Sequence, residues 1–173
     1  MCLFMTDKTD PITYDRQRTN LGEVPIISRT IPISIDIDFP KLSNITLEIT
    51  IWEMEKPSEV IQTWCSAQQS DRAAMGDPFG VIMWPGSIVA SQELMKLHYC
   101  SSPSQIQNST VLVLGAGTGV EAQTAALLGA RKVIATDINQ LTLKLIDFAA
   151  DQVGKENPSL QSIIETKCKY CIT

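Results

Sequence analysis

From Ile31 the chain alternates strictly: Ile31, Ile33, Ile35, Ile37 and Phe39 share one face, and Ser34, Asp36 and Asp38 the other. After a short link at Lys41 to Asn44 the alternation returns with Ile45, Leu47, Ile49 and Ile51. A period of two in two runs predicts a half-buried antiparallel hairpin over 31–53, each strand covering one face of something else. Pro32 has no amide to donate and confines the start of the first strand to an edge. Residues 1–30 are polar, carry Pro11 and Pro25 and show no period, so they are expected to be loop or disordered.

Beyond the hairpin the period lengthens. Val60, Ile61, Trp64 and Cys65 fall on one side of a helix expected over 58–69, and Gly76-Asp77-Pro78 breaks the chain. Pro85 stands where a first-turn proline is favoured, and Ile88, Val89, Leu94, Met95 and Leu97 support a helix running to about His98. Ser101 to Ser109 is a polar linker. Val111 to Leu114, short, apolar and rich in β-branched residues, predicts a buried parallel strand. Glycines come next at 115, 117 and 119, then a helix ending at Leu128, with Gly129 placed as its left-handed cap. A second strand, Val133 to Thr136, ends on Asp137. An amphipathic helix from Gln140 to Val153 is expected to stop at Gly154, and Ser162 to Thr173 predicts a third strand.

Strand, glycine turn, helix, strand and acid form the first half of a nucleotide-binding α/β sheet. Without side chains at Gly115 and Gly117 the backbone can turn sharply and a ligand can approach its amides. The helix after the turn offers its N-terminal N–H groups and a positive dipole end. Asp137, at the carboxyl end of its strand, can accept both hydroxyls of a ribose. A dinucleotide fingerprint wants its third glycine at position 120, where this chain has Val120; the glycine is Gly119. The tight GxGxG turn leaves less room for a pyrophosphate and suits the amino-acid end of S-adenosylmethionine.

Length and charge narrow the classes. At 173 residues, 44% hydrophobic and 19% charged, the chain is one ordinary globular domain. Its apolar runs are far short of a membrane span, and the N-terminus lacks the flank and core of a secretory signal. A net charge of −5 disfavours nucleic acid and welcomes a basic protein substrate. Five scattered cysteines suggest free thiols in a reducing compartment, the cytoplasm with the nucleus also open to it. Cys168 and Cys171 have CxxC spacing but no second pair or histidines, so no metal site is expected. His98, the only histidine, is expected to be a solvated helix cap.

The segments MWPGS, VLVLGAGTG and ALLGARKVIATD, each followed or preceded by a helix, resemble the seven-stranded S-adenosylmethionine-dependent methyltransferases, within them the methyltransferase-like protein-lysine methyltransferases. The resemblance covers about residues 79–160. It implies a partial Rossmann-like (class I methyltransferase) α/β domain at 79–173, preceded by an N-terminal extension, 1–78, holding the hairpin and a helix. It implies S-adenosylmethionine contacts from Trp84, Gly115, Ala116, Gly117, Gly119 and Asp137, and a protein lysine as substrate.

Departures from the family pattern are Val113, where an acid is usual, and Lys169-Tyr170-Cys171, where the third strand usually ends in an acid. The family's fourth strand, which carries its substrate motif, has no counterpart, so the chain is expected to be truncated after the third strand. No catalytic residue is therefore named, and an exposed sheet edge would be open to self-association. Two other readings stay open: a non-catalytic module that pairs with a partner, and an NAD-dependent enzyme.

Overall fold

The computed structural model describes residues 16–37, 44–69, 77–156 and 163–168. Two three-stranded sheets enclose a layer of helices. The first is antiparallel, in the order β1 (Arg18–Leu21), β2 (Val24–Ile35), β3 (Ile45–Met54). Helix α1 (Pro57–Ser66), a 3-10 turn at Pro78–Val81 and helix α2 (Pro85–Tyr99) lead into the second sheet. There β4 (Thr110–Leu114), α3 (Val120–Leu127), β5 (Lys132–Asp137), α4 (Gln140–Glu156) and β6 (Ile164–Cys168) alternate. The three strands run parallel with β5 in the centre. This is the α/β, partial Rossmann-like arrangement that the glycine turn and its flanking strands predict.

The hairpin follows the alternation. Ile31 lies opposite Ile49, Ile33 opposite Leu47 and Ile35 opposite Ile45. On the other face hydroxyls pair across the strands, Thr30 with Thr50 at 3.0 Å and Ser34 with Thr46 at 2.8 Å. Its isoleucine face packs with Met95 of α2, Val120, Ala122 and Ala125 of α3, and Ile146 of α4. Those helices lie against the parallel sheet through Val133 and Ala135. A second cluster joins Ile26, Trp52, Val81, Leu145 and Ala149, with Phe148 edge-on to Trp52 at 4.9 Å between ring centres. Residues on both sides of the expected boundary at 78/79 share these two cores.

Several expectations need correcting. Part of the stretch expected as loop, residues 18–21 and 24–30, is strand: Gly22, at φ 65°, and Glu23 form a two-residue turn between Leu21 and Val24. Glycine at a hairpin turn is the signal, masked by the surrounding polar residues. Pro32 therefore sits within β2 and not at its start, on a stretch that β1, paired only with 24–27, does not reach. Strand β4 is parallel but not buried. Its exposures alternate, with Leu112 57% and Leu114 74% exposed, because it is an edge strand whose outer face is uncovered by the described residues. Helix α4 does not stop at Gly154, which is buried within it. In α2, Val89 and Leu97 face outward while Ile88, Leu94 and Met95 turn in.

The helices at 57–66 and 85–99 match the expected ones, and Gly129 takes the left-handed φ of 83°. His98 meets Ser104 Oγ at 2.9 Å through Nδ1. The expected strand ends beyond Ile35 and Cys168, at Phe39 and 169–173, include residues outside the described ones. Cys171 of the CxxC spacing lies there too.

Candidate functional site

Strands β4 and β5 end side by side, and the segments leaving them are stitched together. After Leu114 the chain turns through Gly115, Gly117 and Gly119, at φ 65°, 51° and 81°, a region closed to most L side chains. The Ala116 amide donates to the Thr136 carbonyl at 2.9 Å and the Gly119 amide to the Ala116 carbonyl at 2.8 Å. The Gly117 amide donates to Asp137 Oδ2 at 3.1 Å. The turn is thus a preorganised loop tied to β5, not a row of open amides.

Asp137 is only 8% exposed. Its Oδ1 accepts from the Asn139 amide at 2.9 Å, so both carboxylate oxygens are engaged by backbone. An ionised carboxylate offers about four acceptor positions, which leaves room for two ligand hydroxyls. Asn139 Oδ1 in turn accepts from the Leu141 amide at 2.9 Å, capping the start of α4.

A third piece reaches the same place from far upstream. Asn139 Nδ2 donates to the Asp77 carbonyl, and Asp77 Oδ1 accepts from the Phe79 amide at 2.9 Å. The segment 77–84 then runs as a strap beside the glycine turn. A Cβ at Gly117 would lie 3.8 Å from the Gly80 carbonyl, and one at Gly80 would lie 2.7 Å from Thr142 Oγ1. Val81, 1% exposed, plugs the second core. The Met83 amide reaches buried Glu53 Oε2 at 3.4 Å, a carboxylate that also holds Arg29 Nε at 3.1 Å. Trp84 closes the strap by donating its indole N–H to the Phe79 carbonyl at 2.8 Å. With that N–H engaged and the side chain 49% exposed, what Trp84 offers a ligand is its ring.

The structure therefore gathers Gly115, Ala116, Gly117 and Asp137 at the carboxyl ends of β4 and β5, with the Phe79–Gly80 part of the strap alongside and Trp84 at the strap's end. Gly119 is differently placed. A Cβ there would stand 2.8 Å from Ile146 Cγ1, so its lack of a side chain answers to helix packing as well as to the turn. Asp77, Gly80, Asn139 and Thr142 are not among the residues the sequence points to. Asn139 carries a signal, an Asn before an apolar helical run. Gly80 carries none, because its neighbour Thr142 is remote in sequence.

The surroundings of Asp137 hold further polar groups. Beyond Asp137, the hydroxyls of Thr118 and Thr142 are buried at the turn and beside the strap with no partner among the described residues. Ser91 Oγ and Trp52 Nε1 are orphaned in the same way inside the cores, so these hydroxyls alone do not mark a ligand. Among the described residues no group of three or more His, Cys, Asp or Glu could hold a metal ion, and no helix is long and apolar enough to cross a membrane.

Comparison with known proteins gives a direction. The chain is similar to the electron transfer flavoprotein beta subunit lysine methyltransferase of Mus musculus, 32% identical over 74 residues, which are 43% of this chain and 27% of that protein. The Xenopus laevis protein of that name is 32% identical over 94 residues, 47% of this chain and 36% of its own length. A protein N-terminal and lysine N-methyltransferase of Neurospora crassa is 36% identical over 55 residues, 32% of this chain and 18% of its length. The matched stretches thus span about a third or less of these relatives. A crystal structure of a putative RNA methyltransferase from Pyrococcus horikoshii aligns over 66% of this chain and 51% of that one, with a TM-score of 0.39 and 21% identity, a likeness from which nothing about substrate can be drawn. The lysine methyltransferase family model matches residues 48–167, the greater part of the chain, from β3 through the glycine turn to β6, and the chain belongs to that family.

Proposed function

We propose that this chain binds S-adenosylmethionine at the glycine turn and serves methyl transfer to a lysine side chain of a protein. The observation that carries the reading is the buried Asp137 carboxylate at the end of β5, bonded to the Gly117 amide of the turn at the end of β4. In this arrangement Asp137 takes the ribose hydroxyls, Gly115 to Gly117 let the amino-acid end approach the backbone, and the Trp84 ring borders the crevice. Bound adenosylmethionine supplies an electrophilic methyl group on a sulfonium. The chain's own part is to hold and orient that group, which is the larger share of catalysis where positioning dominates.

The relatives are named for methylating lysine in the electron transfer flavoprotein beta subunit, or lysine and protein N-termini. A protein amine is their common substrate class, and a net charge of −5 favours a basic protein partner. Free thiols at Cys100 and Cys168 accord with a reducing compartment such as the cytoplasm or nucleus. The domain division at 78/79 is kept as part of this reading: the N-terminal sheet is an extension that buries the helix layer of the cofactor domain.

Titration of the 173-residue chain with S-adenosylmethionine by calorimetry, with NAD as a parallel ligand, tests the cofactor. Binding of the first and not the second is expected. Binding of NAD alone would assign the turn to an oxidoreductase, and no binding of either would leave the chain a non-catalytic module.

A further inference from the structure

We infer that Asn139 is a positioning residue that clasps the strap, residues 77–84, against the glycine turn and so sets the affinity for the cofactor; this rests on the adenosylmethionine reading above. Three different partners meet at this one side chain and its amide. The amide donates to Asp137 Oδ1, Oδ1 accepts from the Leu141 amide, and Nδ2 donates to the Asp77 carbonyl. The ribose acid, the start of α4 and the head of the strap are thereby held in one frame.

The strap needs such a clasp at one end only. Its tail is fixed by apolar packing of Val81 with Ile26, Trp52 and Leu145, and by the Met83 amide on Glu53. Its middle lies against Thr142 and Gly117, too close at Gly80 for any added carbon. At its head Asp77 is only partly buried, and the bond from Asn139 Nδ2 is what ties it to the site. Trp84 is coupled to that head, because its indole is bonded to the carbonyl of Phe79, two residues after Asp77. Release of the head therefore loosens the Phe79 carbonyl that holds the Trp84 indole N–H.

Aspartate at 139 separates the two side-chain roles. It still accepts from the Leu141 amide and keeps the helix cap, but it cannot donate to the Asp77 carbonyl and sets a second negative charge beside Asp137. The experiment compares the parent with Asn139→Asp, Asn139→Ala and Asp137→Asn. Adenosylmethionine affinity is read by calorimetry, fold by thermal melting, and the strap by the nitrogen-15 signal of the Trp84 indole, assigned with Trp84→Phe.

Asn139→Asp should melt near the parent, bind up to roughly tenfold more weakly, as loss of one partly buried hydrogen bond implies, and shift the Trp84 signal. Asn139→Ala should do the same with a lower melting point, and Asp137→Asn should lose binding. Parent-like affinity in Asn139→Asp overturns the clasp. So does weakened binding with an unmoved Trp84 signal, which would place the effect in Asp137 alone. An Asn139→Asp chain that does not fold makes Asn139 a folding residue and also overturns it. A parent that binds no adenosylmethionine removes the cofactor reading and this role with it, whereas a binding parent with an indifferent Asn139→Asp removes only this role.

Discussion

Gly119 and Ile146 lie so close that a Cβ on the glycine would stand 2.8 Å from the isoleucine Cγ1. The third glycine of the turn is thus where α4 presses on the start of α3. Gly119→Ala should destabilise the fold by about 1–3 kcal/mol, the usual cost of overpacking, with a further contribution from its φ of 81°. Ile146→Ala should cost less in the Gly119→Ala background than in the parent, read as a double-mutant cycle in denaturant. Equal costs in the two backgrounds would put the strain in the backbone alone.

Asp137→Ala should weaken adenosylmethionine binding by roughly 1.5–3 kcal/mol, the range for hydrogen bonds to a charged group. Gly117→Val should block binding as well, because φ is 51° there, a backbone conformation that a β-branched side chain distorts. Calorimetry reads both. An Asp137→Ala chain with the parent's affinity would take the carboxylate out of the site.

Leu112 and Leu114 project from the outer face of β4, which pairs with β5 on one side only among the described residues. An apolar, unpaired edge favours association. Sedimentation of the 173-residue chain should show concentration-dependent oligomers, and Leu112→Lys with Leu114→Lys should shift them toward monomer. A parent that stays monomeric at high concentration contradicts this.

Glu165 on β6 is held below the usual carboxylate range, first by its hydrogen bond from Lys132 and then by that from Lys167. A carboxylate whose folded value is depressed contributes stability above its unfolded value and loses it as pH falls through the folded one. The melting temperature of the parent should therefore fall more steeply on the acid side than that of Glu165→Gln, and added salt should shrink the difference. Parallel acid limbs would show that the pair contributes nothing.

Much of this architecture is legible in the sequence because it is periodic or punctuated. Alternating isoleucines locate β2 and β3, and the glycine turn with Asp137 locates β4, α3 and β5. The illegible parts depend on remote neighbours. Exposure of β4 is hidden because a run of Val and Leu looks alike on a covered and an uncovered face. Gly154 mimics a stop because a glycine inside a helix and one after it look the same without knowing what it packs on. The strap stays hidden since Asp77 and Gly80 acquire meaning only from Asn139 and Thr142, on the far side of α2, β4, α3 and β5.

The helix layer shared by two sheets also bears on how the chain folds. Hairpin β2–β3 closes locally, but its isoleucine face is completed only by α3 and α4, which are synthesised much later. Contacts of such sequence separation form after the loop-closing entropy has been met, and they slow folding. The nascent N-terminal sheet must therefore wait with an apolar face open, the interval in which chaperone engagement is most needed.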